Sequence, residues 1–77
     1  MIPVFMMKNG DMYKVFDGIQ EAFQEVRGYD PQLSNNQVYD IINKGLDDHK
    51  SWHFEGNTYD FRTYKEDREK RADRKTR

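Results

Sequence analysis

The stretch SWHFEGNTYDFR, residues 51–62, sets four aromatics at alternating positions on either side of Gly56 and Asn57. Alternation around a glycine-containing turn predicts a β-hairpin. With the turn at Gly56-Asn57, Phe54 faces Tyr59 and Trp52 faces Phe61, so the four rings share one face. His53 opposite Asp60 and Ser51 opposite Arg62 then make complementary pairs on the other face. This hairpin decides the fold, because a short chain with amphipathic helices needs an apolar sheet face to pack on. Left exposed, the same rings would form a stacking surface for bases. In so small a domain they are assigned to the core.

A second hairpin is predicted at VFMMKNGDMYKVF, residues 4–16, because Asn-Gly is the preferred type I′ turn. A two-residue loop at Asn9-Gly10 puts Lys8 opposite Asp11, Met6 opposite Tyr13 and Val4 opposite Val15. Val4, Met6, Tyr13 and Val15 are the expected core face, with Phe5, Met7, Met12 and Lys14 on the reverse.

Between the hairpins lie two helical patterns. FDGIQEAFQEVRG has apolar residues at 19, 22, 23 and 26, with Asp17 as the expected N-cap and Gly28 as the stop. LSNNQVYDIINKGL opens with Ser34 and, three residues on, Gln37, which together form a capping box. Over residues 35–47, Val38, Ile41, Ile42 and Leu46 gather on one face. Asn36, Gln37, Asp40, Asn43 and Lys44 fall on the other.

The chain has 77 residues, no cysteine and a net charge of −1. That length allows one domain with a small core. Without cysteine there is no disulfide framework and no thiolate metal site, which points to a cytoplasmic protein. The start MIPVFMM has no basic segment and carries Pro3, unlike a secretory signal. No apolar run reaches membrane-spanning length. Residues 63–77 hold seven basic and four acidic side chains, a net of +3, against −4 for residues 1–62. The expected organisation is a domain over 1–62 and a charged tail over 63–77. The tail carries the i,i+4 pairs Glu66–Lys70, Asp67–Arg71 and Asp73–Arg77, which suit a solvated helix as well as a disordered segment.

No nucleophile constellation, glycine-rich phosphate loop or metal-ligand spacing is present, so neither an enzyme activity nor a cofactor or small-molecule substrate is expected. His49 and His53 are read as surface residues. The amides of the second helix have a sharper reading. Asn and Gln side chains grip adenine bidentately, and the second helix of a helix-turn-helix enters the major groove by its N-terminal residues. Asn35, Asn36, Gln37, Asn43 and Lys44 are therefore candidate contacts to double-stranded DNA, with Arg68, Arg71 and Arg74 on phosphates. The competing reading is a protein-binding accessory or inhibitor, whose acidic residues Asp40, Asp47 and Asp48 dock on a larger enzyme.

VFDGIQEAF (15–23), LSNNQVYDII (33–42) and SWHF (51–54) together resemble the nuclease-associated modular DNA-binding domains of phage homing endonucleases and related small phage proteins. The likeness spans roughly residues 12–61. Gly18 stands where that pattern has Ser, the loop GYDPQL is longer, and Asp40 replaces a basic or neutral residue. The resemblance implies a helix-turn-helix-like DNA-binding regulator. The expected architecture is α+β, ordered ββααββ, two hairpins with a helix pair packed on one face, plus the charged C-terminal tail or helix.

Overall fold

The computed structural model describes residues 2–75, and the side chains of 2–73. Its elements are β1 (Val4–Lys8), β2 (Asp11–Phe16), α1 (Ile19–Tyr29), α2 (Asn35–Asp48), β3 (Trp52–Phe54), β4 (Asn57–Arg62) and α3 (Lys65–Lys75). The four strands form one antiparallel sheet in the order β2-β1-β4-β3, so the two hairpins meet at β1 and β4. α1 lies over β1 and β2, and α2 over β4, which makes the expected α+β domain. No described helix is long and apolar enough to cross a membrane.

Both turns have the positive φ pair of a type I′ hairpin, at Asn9-Gly10 (51° and 88°) and at Glu55-Gly56 (49° and 80°). The first is the predicted turn. The second is displaced by one residue from Gly56-Asn57, because a type I′ turn favours glycine at its second position. The pairing consequently shifts by two: Trp52 faces Tyr59, His53 faces Thr58 and Phe54 faces Asn57. A shift of two keeps side chains on their faces, so the four aromatics still share one side. The polar pairs change partners: Ser51 Oγ donates to Asp60 Oδ1 at 2.5 Å, and His53 Nδ1 lies 3.2 Å from Thr58 Oγ1.

The first hairpin departs further. Met7 pairs with Met12, but Met6 pairs with Lys14, so Tyr13 is the extra residue of a β-bulge. One extra residue reverses the face of everything beyond it. Tyr13 and Val15, expected in the core, are 42% and 59% exposed, and Phe16 is buried opposite Val4 instead. The bulge exchanges a valine for a phenylalanine in the core. It also lets Lys14 Nζ reach Glu25 Oε2 on α1 at 2.7 Å.

Val4, Met6, Phe16, Tyr59 and Phe61 from the sheet enclose Ala22 and Val26 of α1 and Val38, Ile42 and Leu46 of α2. Burying each large apolar side chain contributes roughly 1.5–3 kcal/mol. Gly45 lets α2 approach β4 closely, since a Cβ there would lie 3.0 Å from Phe61 Cβ. α1 ends differently from expectation: its N-cap is Gly18, not Asp17, and Gly28 lies within the helix. No side chain caps the first turn, but Glu21 ties the incoming chain to the helix by accepting a hydrogen bond from the Asp17 backbone N–H at 3.1 Å. Continuing through Gly28 brings Tyr29 over Trp52, Phe54 and Tyr59, with ring centroids 5.9, 6.1 and 5.5 Å away.

Candidate nucleic-acid interface

α2 begins with the predicted capping box. The Gln37 backbone N–H donates to Ser34 Oγ at 3.2 Å, and Ser34 N–H donates to Gln37 Oε1 at 2.8 Å. Gln37 therefore spends its side-chain oxygen on starting the helix. Asn35 is also engaged, accepting from Arg27 Nη2 at 2.7 Å, while Arg27 Nη1 donates to the Leu33 carbonyl. Those bonds fix the α1–α2 corner. Asn36 is exposed and has no side-chain hydrogen bond among the described residues. Of the three predicted amides in this turn, it alone has its whole amide available to a partner.

Four residues on from Asn36 comes Asp40, and four further Lys44, so the three form one outward row along α2. Lys44 Nζ lies 3.3 Å from Asp40 Oδ2, an exposed pair contributing little to stability. The row ends at a pocket of about 270 Å³ between α2 and β3, where Asp40, Lys44, Lys50, His53, Ile41 and Trp52 meet. His49 closes α2 in the left-handed conformation (φ 56°), turning the chain so that Lys50 and Trp52 follow directly. The Arg62 charge, with partial burial and Arg68 behind it, holds the His49 imidazole below its ordinary pKa.

The remaining predicted residues gather elsewhere. Residues 65–75, expected as a tail, form α3, and α3 docks on the C-terminal half of α2. Arg71 donates to Asp47 at 2.7 and 3.1 Å and to Asn43 Oδ1 at 2.8 Å, and Arg68 Nη2 donates to the Asp47 carbonyl at 3.0 Å. The Arg71 and Asp47 side chains are only 15% and 8% exposed. Two arginines predicted for phosphates and one aspartate predicted for a partner thus hold each other. The Arg74 side chain lies outside the described ones. Asp40 and Asp48 remain exposed.

Sequence reasoning missed Lys50 and the pocket wall formed by Trp52. The only signal was their position, between the end of a helix and the first residue of a strand. Trp52 and Phe54 are half-buried against Tyr29, so their rings belong mainly to packing. Among the described residues no group of three or more His, Asp or Glu side chains could hold a metal ion. No protein-family model matches this chain, and no curated protein or solved structure does either.

Proposed function

We propose that this is a small, non-enzymatic, helix-turn-helix-like DNA-binding protein, a regulator of the phage type, that presents the N-terminal half of α2 to the major groove. The observation that carries the reading is Asn36. It is exposed on the first turn of the second helix with its amide unspent, while Asn35 and Gln37 on either side hold that turn rigid. Preorganisation of this kind lets a side chain read an adenine edge without first being ordered. The resemblance of residues 12–61 to nuclease-associated modular domains supports the same assignment.

The arginines pinned at α3 supply fewer phosphate contacts than their number suggests, so binding should be modest, with a correspondingly shallow salt dependence. Selection of bound sequences from a random duplex pool, followed by Asn36→Ala on the selected site, tests the proposal. Loss of about 1–3 kcal/mol on that site, with binding to unselected duplex unchanged, is the expected result. A protein that shifts no duplex at low salt refutes it.

One observation favours the protein-partner reading. Met12 and Val15 are each 59% exposed on the helix-free face of the sheet, beside Met7 and Phe5, and Tyr64, also 59% exposed, packs edge-on against Phe5. Apolar clusters of this sort mark contact surfaces. That surface is distinct from Asp40 and Asp48, so a partner bound there would leave α2 uncovered.

A further inference from the structure

We infer that the pocket between α2 and β3 seats a backbone phosphodiester of nucleic acid, with Lys44 and Lys50 as its cationic clamp. The inference rests on the DNA-binding reading and assigns the phosphate contact that the tail arginines do not supply.

The cations outside α3 narrow the choice. Lys14 is bound to Glu25, Arg62 lies 3.6 Å from Asp60, and Arg27 is committed to Asn35 and the Leu33 carbonyl. Lys8 sits over the Tyr13 ring at 5.2 Å. Lys50 has no anionic partner among the described residues, and Lys44 has only the exposed Asp40. Both line the same pocket. The two most available ammonium groups of the body therefore line one pocket, together with the apolar Ile41 and Trp52 and the carboxylate of Asp40. An apolar floor excludes part of the surrounding water, so ion pairs there are screened less than on open surface.

Spacing supplies the second argument. Asn36 and Lys44 are eight residues apart on one helix, a rise of about 12 Å. The major groove is about 12 Å wide. With Asn36 at a base edge, the Lys44 end of α2 therefore arrives at a flanking backbone. Asp40 lines the pocket as well and pairs with Lys44, so a phosphate seated there takes the place of that exposed carboxylate on Lys44, while Lys50 has no anionic partner to give up among the described residues. His53 Nδ1 is engaged with Thr58 Oγ1, so in the tautomer that carries its hydrogen on Nε2 that nitrogen is a further donor.

Trp52 is the single tryptophan of the chain, so tryptophan emission reports on one residue, which lines this pocket. The test titrates the full-length protein with a short random-sequence duplex at several salt concentrations, following Trp52 fluorescence. The Lys44→Gln/Lys50→Gln variant is titrated in parallel. Both lysines are exposed, so the variant should retain the wild-type circular dichroism spectrum. The expected result is a Trp52 change on binding and a salt slope smaller by about 0.9 in the variant, the loss of one phosphate contact. Duplex binding with an unchanged slope in the variant would overturn the phosphate assignment while leaving the DNA reading intact. No duplex binding by the wild type at low salt would remove both. A Trp52 response to poly-glutamate that duplex fails to elicit would overturn the assignment in favour of an acidic protein partner.

Discussion

Gly45→Ala and Gly28→Ala make the same chemical change in two helices, and the structure gives them opposite signs. Gly28 lies within α1 at an ordinary helical φ, and a Cβ there meets nothing within 4 Å. Alanine should gain helix propensity worth up to about 1 kcal/mol, reduced toward half of that because the site is in the last turn. Gly45 has the same propensity to gain within α2. Its Cβ, however, would fall 3.0 Å from Phe61 Cβ and 3.5 Å from the Lys50 carbonyl oxygen. Phe61 Cβ cannot yield by rotating about χ1, because it is bonded directly to the backbone of β4, a strand paired on both sides. Overpacking of this kind costs about 1–3 kcal/mol, so with the propensity gain subtracted the net effect at Gly45 is a loss of up to about 2 kcal/mol. In a domain this small, 1 kcal/mol moves the melting temperature by about 4–8 °C. Thermal unfolding followed by far-ultraviolet circular dichroism should show Gly28→Ala melting higher than wild type and Gly45→Ala melting lower. If Gly45→Ala melts as high as Gly28→Ala, α2 does not lie against β4 as described, and the direction of its outward row must be redrawn.

Arg71→Ala should cost about 1–3 kcal/mol, below the 3–5 of a fully buried pair because α3 can fray and release Asp47 to water. Asp47→Ala should then add little in the double variant, and a double-mutant cycle with no coupling would contradict the docking of α3. Truncation after Arg62 should lower the melting temperature by an amount similar to Arg71→Ala. Acid titration addresses the bulged hairpin. Burial pushes the Glu25 carboxyl up, but hydrogen bonds from Lys14 and Tyr29 and the Lys14 charge outweigh it and hold the pKa below its ordinary value. A lowered carboxyl pKa stabilises the fold above its unfolded value, near about 4.3, and that stability is lost as pH falls through the lower folded value. Lys14→Met should flatten this acid limb of a pH–stability curve, and an unchanged limb would refute the contact.

Local signals were legible in the sequence, and long-range ones were not. Asn9-Gly10 and the Ser34–Gln37 capping box each depend on residues one to three apart, and both stand as read. The register beyond Met12 depends on whether Val15 or Phe16 enters the core, which is settled by the space beneath α1 and by Glu25. Tyr29 looked like loop because Gly28 precedes it, yet stacking on Trp52 from the other end of the chain extends the helix past the glycine. The α3 segment offered no apolar stripe. Its docking runs through Arg71 and an aspartate 24 residues away, a pairing no periodicity could reveal. For the site, the sequence was informative about Asn36 and Lys44 and misleading about Arg68 and Arg71. Charge composition says that cations exist, and only the fold says which of them are already taken.

The central claim is that the α2 row running from Asn36 to the Lys44–Lys50 pocket is the surface that meets DNA. Backbone amide shifts of the isotopically labelled protein, recorded during titration with its selected duplex, test this most directly. The largest shifts should fall on Asn36, Asp40, Lys44, Lys50 and the Trp52 indole N–H, while Met12, Val15 and the Arg71–Asp47 seam stay still. Shifts concentrated on α3 or on the helix-free face of the sheet, or none at low salt, would contradict it.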